Sequence, residues 1–278
     1  MTVAETRVSS EWLDLREPAD AAARARDLVE QVRRRLPASG PQVIHDLACG
    51  TGAMGRWLAP LLPVPQRWVV HDRDPDLLDV AAADLPGPAA DGASVVVEAR
   101  RSDVTQLGSN DLAGATVITA SALLDLLTRD ELARLIDACV AAGCPVLLTL
   151  SVVGQVELSP ADPLDAHVAA AFDAHQRRLT AGGRLLGPDA VTAAVAGFRR
   201  LGAEVRVRAS TWRLGAAEAD LVAEWLAGGV GAACEQEPGL AGAADGYLRC
   251  RLAQVRAGRL AVAVGHADLL ALPTVEGA

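Results

Sequence analysis

The stretch best equipped for chemistry is Val43-Ile44-His45-Asp46-Leu47-Ala48-Cys49-Gly50-Thr51-Gly52. An apolar run ends in an acid, passes into a glycine turn and opens a helix. Glycines let the backbone approach a ligand closely and take positive φ, and the first N–H groups of the helix that follows have no partner inside it. Such a turn suits a nucleotide-like ligand. Asp46 narrows the choice. A pyrophosphate received at this turn meets repulsion from a carboxylate at the strand's end, whereas a ligand carrying an ammonium group is held by it, directly or through water. Gly50-Thr51-Gly52-Ala53-Met54-Gly55 also satisfies the dinucleotide pattern, with Asp72 at a fitting distance for a ribose acid. An NAD(P)-dependent oxidoreductase therefore stays open as the alternative.

Two further acids stand where strands are expected to end. In Val70-His71-Asp72-Arg73-Asp74-Pro75 the first is Asp72, while Asp74 reads as a helix N-cap with Pro75 at the first helical position. In Ser102-Asp103-Val104 the acid is Asp103, which by itself also reads as a turn acid or cap. Taken in order, these three motifs over residues 43 to about 125 resemble those of class I S-adenosylmethionine-dependent methyltransferases. The resemblance implies S-adenosylmethionine as cofactor. It places Asp46, Ala48, Cys49, Gly50 and Gly52 at the turn, Asp72 with Arg73 at the ribose, Asp103 with Val104 at the adenine, and Ser121 beyond the fourth strand. Ala48 departs from the family, which most often has glycine there. Helices ahead of the first strand often close over the cofactor in this family. With no Lys in the chain, the methionyl carboxylate needs an arginine, a neutral donor or the backbone. Arg16 or Arg24 is the expected partner, the alternative being a solvated arginine on an amphipathic helix.

The elements that must position these residues follow from periodicity and breakers. A helical region over 11–36 is ended by Pro37, Gly40 and Pro41. Strands are expected at 43–47, 68–71, 94–99, 115–120, 145–152, 205–209 and 260–272, with helices at 52–62, from Pro75, and at 129–142, 163–180 and 188–201, and a helical insertion at about 216–258. Alternation of strand and helix predicts an α/β fold, a doubly wound, mostly parallel seven-stranded sheet, and the resemblance implies that its last strand is antiparallel. It carries an N-terminal helical addition and a helical insertion before that strand. The chain is expected to be one domain, with helices in 1–40, a cofactor-binding core in 41–160 and acceptor-side helices and last strands in 161–278.

Composition bounds the function. The net charge is −9 and all 26 basic residues are Arg. The absence of Lys removes Schiff-base chemistry and a P-loop lysine, and the acidic balance argues against a nucleic-acid partner. The polar residues 1–11 hold no signal-peptide core and no apolar run reaches the length of a membrane span. A cytoplasmic protein with a small-molecule acceptor and no membrane partner is expected. The five cysteines lack zinc-ligand spacing and read as small buried hydrophobes. Since only Asp125 stands after the fourth strand, no metal is expected. His167 and His175, two turns apart on one helix, and Asp125 are the candidates for a general base, the histidines doing equally well as packing or surface residues. Trp212, Arg213 and Trp225 are open to two readings, a wall of the acceptor pocket or an anchor for the insertion. A non-catalytic protein that keeps the fold is the third function in play.

Overall fold

A computed structural model describes residues 8–37, 40–84 and 86–273. The expectation for the extreme N-terminus therefore lies partly outside the described residues. The strands are β1 (Gln42–Leu47), β2 (Gln66–Asp72), β3 (Val95–Arg101), β4 (Val117–Ser121), β5 (Val146–Ser159), β6 (Leu179–Thr180), β7 (Gly183–Arg184), β8 (Glu204–Ala209), β9 (Trp212–Leu214) and β10 (Ala261–Leu272). The helices are α1 (Ser10–Ala23), α2 (Arg26–Arg33), α3 (Ala53–Leu58), α4 (Pro75–Ala83), α5 (Arg129–Ala141), α6 (Asp165–Gln176), α7 (Ala190–Arg200), α8 (Ala219–Gln236) and α9 (Ala241–Arg256). The main sheet runs β3-β2-β1-β4-β5-β10-β8, with β9 alongside part of β10. β10 is antiparallel to β5, β8 and β9, and the other pairs of this sheet are parallel. This is the expected α/β architecture, antiparallel last strand included.

Both faces of the sheet are covered, which is what near-continuous apolar strands require. Leu132, Leu135 and Ile136 of α5 and Phe198 of α7 pack on Ile118, Leu148 and Leu269. On the other face Leu28, Val29 and Val32 of α2, with Met54, Leu58 and Leu78, pack on Ile44, Trp68, Val70, Leu147 and Leu270. β1 lies between β2 and β4, so Asp46 is flanked by Val70 and Thr119. The chain reverses at once from β1 into α3 through Gly50 (φ 55) and Gly52 (φ 87), values that disfavour any side chain.

Four expectations need correction. The helical region over 11–36 is two helices broken at Arg24, whose ψ of 137 ends α1. Pro18, by contrast, sits within α1 without ending it. The fifth strand does not stop at Val152 but runs to Ser159, because β10 pairs with it out to Ala261; Gln155 and Glu157 are thus strand residues. The helix placed at 163–180 ends at Gln176, and residues 179–184 form a small hairpin. Finally, Trp212 belongs to β9, paired with Val264 of β10. The extended β5, β9 and β10 form a second storey beyond the carboxyl edge of the sheet. Trp212, Leu214, Leu221 and Leu226 make its core, and Trp12, Leu15, Ala19 and Ala23 of α1 lie against it. No described helix is long and apolar enough to cross a membrane.

Candidate functional site

The sheet's carboxyl edge and α1 enclose a cavity of about 60 Å³ over the glycine turn. Leu13, Arg16, Asp20 and Arg24 line it from the helices, Asp46 to Met54 from the turn, and Ser121 and Ala122 from the end of β4. Leu13 sits tightly on the turn, its Cδ1 lying 3.0 Å from where a Cβ on Gly50 would be. Six of the residues expected at the cofactor, Arg16, Arg24, Ala48, Cys49, Gly50 and Ser121, join Asp46 in these walls.

Asp46 is 1% exposed and its Oδ1 accepts a 2.8 Å hydrogen bond from Thr119 Oγ1. Its Oδ2 is buried without a partner. Burial pushes the carboxyl up to about 7, against the pull of the Thr119 hydroxyl and of Arg24. Arg24 is 4% exposed. Its Nη2 donates to Ser121 Oγ at 3.1 Å and its guanidinium lies over the Trp57 ring at 5.2 Å, whereas Nε and Nη1 are buried with no partner. Burial lowers the guanidinium's pKa, and Asp20, Asp268 and Asp46 oppose that shift. An unsatisfied buried donor or acceptor costs about 1–3 kcal/mol, and more when charged. Arg24 and Asp46, both lining the cavity, thus carry two unsatisfied cationic donors and one unsatisfied anionic acceptor.

Arg16 is spent differently. Its Nε and Nη2 both bond Asp20, and it stacks over Trp212, which also donates to Asp20 at 2.9 Å. Of the two arginines left open by sequence, Arg24 has the free donors. Trp212 is 3% exposed in the second-storey core, with Trp225 packed against the same core and Arg213 exposed. Both tryptophans pack with residues of α8, and Trp225 also lines a cavity with Val156, Leu158 and Phe172.

At the end of β2, Asp72 takes a backbone N–H on each oxygen, from Gly50 at 2.9 Å and from Asp74 at 3.0 Å. It braces the glycine turn. Arg73 beside it is exposed, and Asp74 caps α4 through Asp76 N–H. Asp103 caps a short turn, its Oδ1 accepting from both the N–H and the hydroxyl of Thr105. Val104 points into the core under α5. Gly52 supplies the left-handed start of α3, and a Cβ added to it would lie 3.3 Å from Ala81 Cβ, a tight contact. Cys49 is buried, and burial pushes its thiol well up, away from reactivity.

The base candidates separate. His167 and His175 bond Glu237 and Glu235 at 3.0 and 3.2 Å, facing the end of α8 and not the cavity. Asp125 does not line the cavity; loss of solvent raises it to about 6, and the charges of Arg16 and Arg178 oppose that rise. Three further residues contribute, of which Asp268 and His266 escaped sequence reading. Thr119 holds Asp46, Asp268 lies behind Arg24, and His266 packs on Trp212 at 4.9 Å with its Nδ1 on Val264 O. His266 and Asp268 stand two apart in an otherwise apolar strand, a signal visible in Val264-Gly265-His266-Ala267-Asp268. Among the described residues no group of three His, Cys, Asp or Glu is arranged to hold a metal.

No family model matches the chain, and no curated protein matches it in sequence. Solved structures do match in shape. A cyclopropane synthase of Mycobacterium tuberculosis is 15% identical, with a TM-score of 0.49 over 95% of this chain and 94% of that one. A methyltransferase of Geobacter sulfurreducens, described as S-adenosylmethionine-dependent and solved with S-adenosylhomocysteine, is 15% identical, with a TM-score of 0.45 over 96% and 99%. The magnesium protoporphyrin IX methyltransferase of Synechocystis PCC 6803, also with S-adenosylhomocysteine bound, is 14% identical, with a TM-score of 0.44 over 74% and 83%. At these identities the likeness is one of fold alone.

Proposed function

We propose that the cavity over the glycine turn receives the amino-acid end of S-adenosylmethionine, and that the protein is a methyltransferase acting on a small-molecule acceptor. The observation that carries this reading is the pair of unsatisfied charges: Arg24 Nε and Nη1 on one side and Asp46 Oδ2 on the other. An α-amino acid is the small zwitterion that completes both, its carboxylate on the guanidinium and its ammonium on the carboxylate. A pyrophosphate would satisfy Arg24 but stand against Asp46.

Bound S-adenosylmethionine supplies a methyl group made electrophilic by its sulfonium. The chain's own residues supply binding and orientation, from which an in-line displacement draws most of its acceleration. Ser121 and the Trp57 ring fix Arg24, and Thr119 fixes Asp46. Asp72 keeps a lone pair on each oxygen for the ribose hydroxyls after accepting its two N–H groups, and Asp103 keeps Oδ2 for the adenine amine. Leu13 and α1 exclude water from the turn. A cavity of about 60 Å³ takes only the polar end of such a ligand, so α1 lifts as the nucleoside enters. A base is needed only for an acceptor that is protonated at the moment of attack; Asp125 is the group we assign to that task.

Calorimetric titration tests the cofactor. S-adenosylmethionine and S-adenosylhomocysteine are expected to bind and NADH and NADPH to give no heat above dilution; tight NADPH binding with no response to S-adenosylhomocysteine reverses the assignment. A second expectation separates two neighbouring acids. Asp72→Ala strands the Gly50 and Asp74 N–H groups and removes the ribose acceptor, so it lowers both melting temperature and affinity. Asp74→Ala removes a cap and costs about 1 kcal/mol of stability with little change in dissociation constant. Equal losses of affinity in the two variants would show that Asp72 does not meet the ligand.

A further inference from the structure

Asp268 is 1% exposed, and no step of the proposed reaction uses it. Its carboxylate is shared between two backbones. Oδ2 accepts the N–H of Ala25 at 2.8 Å, and Oδ1 accepts the N–H of Leu150 at 2.8 Å. Ala25 is the residue after Arg24, at the elbow between α1 and α2. Leu150 has φ 56 and sits beside a register shift between β5 and β10, where an N–H is turned out of the sheet ladder. One carboxylate therefore ties β10, the irregularity in β5 and the α1–α2 elbow together.

The geometry also keeps Asp268 from doing something else. Its negative charge supports the buried Arg24 guanidinium, yet it takes none of that group's N–H donors. Asp20, a second acid close to Arg24, is likewise committed elsewhere, to Arg16 and Trp212. Had either carboxylate closed a direct ion pair with Arg24, Nε and Nη1 would be consumed. With both acids held by other partners, Arg24 stays charged and unspent.

We propose that Asp268 is a positioning residue: it fixes the backbone beside Arg24 and balances the guanidinium's charge while leaving Nε and Nη1 for an anionic ligand group, and so sets the site's preference for ligands that carry an α-amino acid. The proposal rests on the reading of Arg24 as the carboxylate's partner. Its signature is selectivity, because a residue that merely holds the fold would affect every ligand of the site alike.

The test compares S-adenosylhomocysteine with 5′-methylthioadenosine, which has the nucleoside and the thioether but no amino acid, by calorimetry on the full chain. In Asp268→Asn one N–H acceptor and the charge are lost. S-adenosylhomocysteine should weaken by about tenfold or more, and methylthioadenosine by less than about twofold. A second variant guards against misfolding. Ala25→Pro deletes only the N–H that Asp268 holds, and the backbone suits it: Ala25 has φ −75, and Arg24 before it has φ −57 and ψ 137, which proline favours in its predecessor. It should shift the same ratio in the same direction. Equal weakening of both ligands, or an unchanged S-adenosylhomocysteine affinity in Ala25→Pro, overturns the positioning role alone. A wild-type protein that binds the two ligands equally well overturns the Arg24 reading, and one that binds neither overturns the cofactor assignment; the proposal falls in both cases.

Discussion

Replacing Arg24 with Ala is expected to weaken S-adenosylhomocysteine binding by about two orders of magnitude. Two charge-assisted hydrogen bonds are at stake, each of about 1.5–3 kcal/mol before water recovers part of the loss. Arg24→Lys should restore little. An ammonium on a flexible stem cannot reproduce a planar fork that is already stacked on Trp57 and bonded to Ser121. The variant should also melt lower, because Asp46 and Asp268 lose the cation they share. Arg16→Ala provides the contrast. Arg16 answers Asp20, so its loss should register mainly in stability, with affinity falling by less than about a third of an order of magnitude per hydrogen bond lost. Should Arg16→Ala cost more affinity than Arg24→Ala, the carboxylate has been given to the wrong arginine.

Why sequence left that choice open is a matter of where the information lies. Ala21-Ala22-Ala23-Arg24-Ala25-Arg26 has high helix propensity throughout, and nothing local marks a break. The break comes from Asp268, 243 positions away, which takes the Ala25 N–H. Only that elbow turns Arg24 inward. Arg16, eight residues earlier in the same helical stretch, looks the same on paper. The glycine turn was legible because its cause is local: an apolar strand, an acid, and glycines at positive φ all lie within ten residues. The mostly parallel α/β class was legible for a related reason, since alternating apolar strands and helices admit few arrangements. The fifth strand was expected to end at Val152, but β10 supplies partners as far as Ser159. His167 and His175 were chosen by residue type and helical spacing. Spacing fixes a shared helix face, but it says nothing of what lies opposite, which here is the end of α8 with Glu235 and Glu237.

The second large effect concerns pH. Asp46 has a folded-state pKa of about 7 against an ordinary 3.8, raised chiefly by burial. Since the folded chain holds the proton more tightly than the unfolded chain, ionising Asp46 costs stability. That cost grows as pH rises from about 4 to about 7 and is complete above it, at most on the order of 4 kcal/mol. Asp46→Asn should therefore melt higher than the wild type at pH 8 and close to it at pH 4.5. Ligand binding runs the other way. An ammonium is attracted to the ionised carboxylate and has no use for the neutral one, so affinity should rise by up to about tenfold per pH unit towards pH 7 and then level off. At pH 6 binding should expel close to one proton, seen as a binding enthalpy that varies with the ionisation enthalpy of the buffer. Asp46→Asn should bind weakly and show neither trend. Asp125, at about 6, is the other carboxyl raised into this range by burial, and Asp125→Asn should leave the profile in place. A wild-type affinity that stays flat from pH 5.5 to 8 would mean that Asp46 never meets the ammonium, and the unpaired oxygen beside the glycine turn would then need a different partner.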